Sequence, residues 1–275
     1  MPYRLLAADY DLTLTREDRS VSPRVREAIR SAAARGNVLT LATGRLSGSA
    51  RPAAALFPGD VPLILCNGAL IQSSATGAIL HEDVMDPAAA EAVMRWAAGW
   101  PETCVVWCRA GLFSDRLNEA AAIYARLSAQ TPKVLLDPPA AARSGVYKIL
   151  LLGDAETVAR AGAALREDPV AEVNAFTSSP EVLEIVAPGV DKGTGLRRAA
   201  ELLGIPREEV IALGDGENDI PMLRWAGLGV AMGNASPRVK AAADRIAPSC
   251  QEDGAAWVME NYLTGSPIRE TERGR

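Results

Sequence analysis

Leu5-Leu6-Ala7-Ala8-Asp9-Tyr10-Asp11-Leu12-Thr13-Leu14 runs from four apolar residues into an acidic pair. Its four leading apolar residues, just after Arg4, read as a short buried strand, and the acidic pair marks that strand's C-terminal end. In extended chain, residues i and i+2 point the same way, so Asp9 and Asp11 are expected to share one site. Two carboxylates there repel unless a cation sits between them or one carboxyl stays protonated. Alone, Asp-x-Asp after a strand is an acidic turn. Three later segments supply the remaining parts of a phosphate site.

Working outward, Ser22-Pro23 reads as an N-cap and first helical residue of a helix with Val25 and Ile29 on one face, running to Gly36. Residues 38–42 form a second apolar strand ending at Thr43-Gly44-Arg45, followed by a helix over 50–56. A third strand over 63–66 ends at Asn67-Gly68. Apolar strands alternating with helices predict a parallel sheet covered on both faces. Residues 69–72 and 78–81 then read as a hairpin. From 83 to 187 the order is mixed, with helices over 88–98, 119–127 and 156–166. Strands are expected near 104–109, 112–114, 147–152, 171–175 and 182–186, with a proline- and alanine-rich loop over 137–143. Alternation resumes with a helix opening at Asp191-Lys192-Gly193. A strand over 210–213 then leads into Gly214-Asp215-Gly216-Glu217-Asn218-Asp219. Another strand over 228–231 ends at Met232-Gly233-Asn234, and the polar tail over 266–275 is expected to be disordered. The expected architecture is α/β: a doubly wound parallel-sheet core (1–82 and 188–275) carrying an inserted α+β domain (83–187).

Composition narrows the function. The chain of 275 residues is 48% hydrophobic with a net charge of −5, so no basic face is advertised and a nucleic-acid partner is not expected. No apolar run reaches membrane-spanning length. The N-terminus enters a strand almost at once, leaving no room for a signal peptide, so a cytoplasmic location is expected. Cys66, Cys104, Cys108 and Cys250 show neither a disulfide framework nor paired zinc spacing and read as buried thiols. His81 is the only histidine, which argues against a histidine base or a multi-histidine metal site. The lysines are only Lys133, Lys148, Lys192 and Lys240, so a lysine inside a motif is notable.

Asp9/Asp11, Thr43-Gly44 and Asp215/Asp219 each follow a strand directly, and in an open parallel sheet ligands bind at the strands' C-terminal ends. Asp9, Asp11, Asp215 and Asp219 together make a hard-oxygen environment suited to Mg²⁺. Thr43 offers a hydroxyl, and Gly44 lets the backbone approach an anion. Lys192 opens a helix, so its ammonium and the helix N-terminus would both face an anion. Phosphoryl transfer needs that charge arrangement and an in-line nucleophile. Without a usable histidine, a carboxylate is the natural nucleophile, forming an aspartyl-phosphate. Taken singly, Thr-Gly-Arg is ordinary loop chemistry and Asp191-Lys192-Gly193 a helix cap. The Gly214 segment departs from a dinucleotide loop at Asp219 and from a calcium loop at Ile220.

As a set, these segments resemble the haloacid dehalogenase (HAD) superfamily phosphatases, in the Cof-type branch whose large α/β cap (type IIB) lies between the second and third motifs. The resemblance spans nearly the whole chain. It comprises Asp9-x-Asp11-x-Thr13, Ala42-Thr43-Gly44-Arg45, Asn67-Gly68-Ala69 and Leu183-Glu184-Ile185 leading into Lys192-Gly193. It continues through Gly214-Asp215-x-x-Asn218-Asp219, Ala231-Met232-Gly233-Asn234-Ala235 and Glu252-Asp253-Gly254. It implies that Asp9 is the nucleophile and a Mg²⁺ ligand. Asp11 would bind the metal through its backbone carbonyl and act by its side chain as general acid and base. Thr43 and Lys192 would hold the phosphoryl group, with Gly44, Arg45 and Asn67 as further contacts from the core side. Asn218 would contact the phosphate or orient the nucleophile. Asp215 would complete the metal set, with Asp219 a ligand or its support. The implied substrates are small phosphorylated metabolites, often sugar phosphates, over which the cap closes; no protein partner is inferred. One position departs: where the family has glycine, this chain has Leu12, and leucine resists positive φ. A phosphosugar mutase and a non-catalytic phospho-ligand sensor on the same fold stay open as alternatives.

Overall fold

Leu5–Ala8 sits inside a five-stranded parallel sheet, with Val38–Leu41 on one side and Val210–Gly214 on the other. Beyond Val210–Gly214 lie Leu228–Ala231 and then Arg245–Ile246. These relations come from a computed structural model that describes residues 3–128 and 130–263; the tail expected over 266–275 lies outside the described residues. Chain order therefore runs outward from Leu5–Ala8 in one direction through the second strand, and in the other through the strands after residue 209. Such a reversal opens a crevice beyond the carboxyl ends of the two central strands. Asp9 and Asp215 stand at those ends.

The alternation expected of a strand buried on both faces is present. Leu5 and Ala7 pack with Leu196, Ala199, Val210 and Ala212 on one face. Leu6 and Ala8 pack with Leu39, Leu41, Ile211 and Leu213 on the other. Caps read from the sequence also form. Ser22 accepts the Val25 N–H at the start of Pro23–Ala34, and Asp191 and Thr194 make a reciprocal capping box opening Lys192–Leu203.

Three local expectations are corrected. Pro62–Leu65 touches the parallel sheet only through the bridge Ala42–Ile64; its full partner is Leu70–Ser73, antiparallel, with Ile79–Glu82 beyond. The turn at Cys66 and Asn67, both at positive φ, folds the chain straight back, which favours antiparallel pairing. The stretch expected as a loop over 137–143 holds a short helix, Pro138–Arg143. Asp137 caps it by accepting the Ala140 N–H, and the two prolines lie in its first turn, where no N–H is needed. Leu12 takes the left-handed conformation (φ 56°, ψ 10°) that glycine would take. That costs leucine about 1–2 kcal/mol. Two contacts hold it: the Leu12 N–H donates to Thr15 Oγ1 at 3.1 Å, and its carbonyl accepts Asn234 Nδ2 at 3.0 Å. The residue is 41% exposed and lines the mouth of the crevice, so the loop keeps its shape with leucine in glycine's place.

A second sheet carries six strands in the order Asn174–Ser179, Val182–Val186, Val146–Leu152, Thr103–Cys108, Gly111–Ser114 and Lys133–Val134. All its pairings are antiparallel except the last. Its two central strands, Val146–Leu152 and Thr103–Cys108, are fully buried, and two buried charged side chains, Lys148 and, on the neighbouring strand, Glu184, interrupt the apolar runs. No described helix is long and apolar enough to cross a membrane.

Candidate active site

Asp9 follows the last residue of Leu5–Ala8 and is nearly buried. The strand ends at Ala8, so strand geometry does not carry through to Asp11. The Asp11 carboxylate is held instead by Arg45, whose Nε and Nη2 donate to its two oxygens at 2.9 and 2.6 Å. The four-carboxylate cluster expected from the sequence is thus three among the described residues: Asp9, Asp215 and Asp219. One oxygen from each lies within 4.8 Å of the others.

Lys192, only 1% exposed, stands among them. Its Nζ donates to Asp9 Oδ1 at 2.7 Å and to Asp219 Oδ1 at 2.6 Å. The second Asp219 oxygen accepts the backbone N–H groups of Asp215 and Gly216 at 3.0 and 2.9 Å, so Asp219 ties its own loop to the lysine. Gly214 permits that close packing, because a Cβ there would lie 2.5 Å from the Asp219 carboxylate. Thr13 donates its hydroxyl to Asp215 Oδ1 at 2.7 Å, and Asn234 Nδ2 approaches Oδ2 at 3.4 Å.

Three carboxylates against one ammonium leave negative charge to spare, and the acids respond. Burial raises the Asp9 carboxyl well above the usual range; Lys192 pulls it down, while Asp219 and Asp215 push it further up. Burial likewise pushes Asp215 to about 6, against the hydroxyl of Thr13 and with help from Asp219. An all-oxygen cluster with surplus negative charge fits a hard divalent cation, which binds through a few carboxylates and completes its shell with water or phosphate oxygens. The sign of the pH effect follows. Folded carboxyls raised above their unfolded value, about 4, favour folding below that value and lose their contribution as pH rises through the folded pKa. With a chelator present, the melting temperature should therefore fall between pH 5 and 8 from this cluster. Added Mg²⁺ should raise it more at pH 8 than at pH 6, where protons compete for the same oxygens. Thermal scans at the two pH values check both; equal Mg²⁺ effects would contradict the site.

The other expected residues gather at the same crevice. Thr43 is buried, and its Oγ1 accepts the Arg45 N–H at 3.2 Å, leaving its hydroxyl hydrogen for another acceptor. Asn218 donates to Asn67 Oδ1 at 3.0 Å. The Arg45 guanidinium is spent on Asp11, on the Ser49 carbonyl at 3.3 Å and on the Tyr10 ring, 4.9 Å from its centroid. A cavity of about 540 Å³ connects these groups to the second sheet. Asp9, Thr43 and Asp215 line one wall, and Trp107, Tyr124 and Lys148 the other. No residue of the second wall was nominated from sequence. A lysine inside the apolar run 147–152, in a chain so poor in lysine, was the available signal.

Comparison with known proteins places the chain. The profile of the haloacid dehalogenase-like hydrolases matches residues 6–259. The 5-amino-6-(5-phospho-D-ribitylamino)uracil phosphatase YcsE of Bacillus subtilis (strain 168) is 29% identical over 268 residues, 94% of this chain and 96% of that protein. The HMP-PP phosphatase of Serratia proteamaculans (strain 568) is 28% identical over 96% of this chain and 99% of its own length. The crystal structure of a haloacid dehalogenase-like hydrolase from Bacteroides thetaiotaomicron superposes with a TM-score of 0.81 at 32% identity. It covers 94% of this chain and 98% of that one.

Proposed function

Because this chain belongs to the haloacid dehalogenase-like hydrolases, matched over residues 6–259, we propose that it is a Mg²⁺-dependent phosphatase of a small, soluble phosphate ester in the cytoplasm. The observation that carries the reading is the partly buried cluster of Asp9, Asp215 and Asp219 beside the buried Lys192, at the point where strand order reverses. Mg²⁺ at Asp9, Asp215 and Asp219, with the Asp11 carbonyl, would supply charge neutralisation for the phosphoryl oxygens.

In this reading a carboxylate oxygen of Asp9 attacks phosphorus, and the bond from phosphorus to the ester oxygen breaks. Asp11, entering the step as the carboxylic acid, gives that oxygen its proton, so Asp11 must first leave its pair with Arg45 and take a proton from solvent. Water then attacks phosphorus and gives its proton to Asp11. The bond from phosphorus to Asp9 breaks, orthophosphate departs and the free carboxylate returns. Lys192 fixes the rotation of Asp9 through Oδ1, and Thr43 and Asn218 orient the phosphoryl group, the Gly44 backbone allowing its close approach. Residues 83–187 act as a cap that encloses the leaving group, and residues 1–82 with 188–275 as the catalytic core.

The cavity size suits a metabolite rather than a macromolecule. The names of the two similar proteins, a 5-amino-6-(5-phospho-D-ribitylamino)uracil phosphatase and an HMP-PP phosphatase, support the phosphatase class. The test is orthophosphate release from an aryl phosphate and a panel of sugar and nucleoside-like phosphates, with Mg²⁺ or chelator. Metal-dependent release supports the proposal. Isomerisation without release would indicate a mutase, and binding without turnover a sensor.

A further inference from the structure

Lys148 and Glu184 have no part in that chemistry, yet they are charged, adjacent and almost completely buried, with side chains 3% and 6% exposed. Lys148 Nζ donates to Glu184 Oε2 at 2.8 Å, across neighbouring strands of the six-stranded sheet. Burial alone would lower the lysine's pKa; Glu184 reverses this, and the ammonium is held charged well above its usual range. An apolar pair of similar volume would stabilise such a position as well or better, so stability alone does not explain the charges.

Their outward contacts both reach the phosphate side of the crevice. Lys148 Nζ also donates to the Gly44 carbonyl at 2.8 Å. The same peptide unit presents the Arg45 N–H to Thr43 Oγ1, so the lysine orients the group that orients the threonine hydroxyl. Glu184 Oε2 accepts Asn67 Nδ2 at 2.8 Å, and Asn67 Oδ1 accepts Asn218 Nδ2 at 3.0 Å. Asn67 is fully buried at φ 55°, and a Cβ on Gly44 would lie 3.2 Å from its Oδ1, so the two arms pack against each other.

We propose that Lys148 and Glu184 are positioning residues: a polar strut from the second sheet that sets Thr43 through Gly44 and Asn218 through Asn67, so that the phosphate subsite is complete only when the two sheets are docked. The role rests on the phosphatase reading, since Thr43 and Asn218 are phosphate contacts only within it. The strut ties the phosphate subsite to the docking of the two sheets.

The test compares wild type with three variants: the double Lys148→Met/Glu184→Leu, which removes both charges and orphans neither; Lys148→Arg; and Asn67→Gly, which keeps the left-handed backbone and cuts only the Asn218 arm. Folded fraction is read by thermal melts, and kcat and KM are measured on two esters with unrelated leaving groups. A folded double variant is expected to lose about 10²-fold in kcat on both esters alike, the scale of an ångström-level misplacement. Lys148→Arg should recover part of that loss, and Asn67→Gly should lose part with the ion pair intact. Unchanged kcat per folded molecule, or a loss confined to one leaving group, would overturn the strut. If wild type releases no phosphate from any ester, the phosphatase reading fails. Calorimetric binding of inorganic phosphate with Mg²⁺ then decides the strut: weaker binding by the variants supports it, and equal binding overturns it.

Discussion

Asp9→Asn is expected to abolish turnover while raising the melting temperature of the chelated protein. In the proposed mechanism the substitution removes the attacking oxygen anion, and loss of a nucleophile typically costs roughly 10⁴-fold or more in kcat. It also removes one of three carboxylates crowded around a single ammonium, within 4.8 Å of one another. The asparagine oxygen can still accept from Lys192, so no buried donor is orphaned. Activity and stability should therefore move in opposite directions, and the stabilisation given by Mg²⁺ should shrink. Steady-state kinetics and paired thermal scans read both. A variant that keeps a tenth or more of wild-type kcat would remove Asp9 from the reaction.

Lys192→Met should fail in the other direction, losing both turnover and stability. The side chain is nearly isosteric, so the change is chiefly electrostatic. Asp9 and Asp219 would be left facing each other in a site where Lys192 is 1% exposed and Asp219 fully buried. Breaking a buried ion pair from one side costs about 3–5 kcal/mol. The Asp219 anchor on the Asp215 and Gly216 N–H groups would loosen with it, and in the proposed mechanism Asp9 would lose the donor that fixes its rotation, expected to cost about 10²–10³-fold in rate. Denaturant unfolding with chelator gives the stability term. Adding Asp219→Asn to the variant should return much of the stability and none of the turnover, which separates the two effects. A stable, active Lys192→Met protein would contradict the geometry on which the site is built.

Legibility from sequence followed the range of the interactions. Asp9, Lys192, Asp215 and Asp219 could be placed together because topology does the work: each follows an apolar strand or opens a helix, and a doubly wound sheet brings those ends to one crevice. Asp11 could not be placed by the same rule. Its orientation depends on a guanidinium 34 residues away, and the strand that would have aligned it with Asp9 stops at Ala8. Leu12 misled for a related reason. Propensity resists a left-handed leucine, but Thr15 and Asn234 hold the loop from both sides. The Pro138–Arg143 helix was hidden by its prolines, which read as breakers until Asp137 is seen to cap them into a first turn. Lys148 and Glu184 were visible as residues but not as a device. Their partners at Gly44 and Asn67 lie more than a hundred residues away, in turns beyond the ends of other strands, and no periodicity encodes that docking.

In the proposed mechanism the phosphoryl group passes through Asp9, and the stereochemical course at phosphorus reports whether it does. An aryl phosphorothioate made chiral at phosphorus with two oxygen isotopes would be hydrolysed with Mg²⁺ in water carrying the third isotope, and the configuration of the released inorganic thiophosphate determined. Two successive in-line displacements, onto Asp9 and then onto water, predict overall retention. Inversion would mean that water attacks the ester in a single step, and Asp9 would be a bystander.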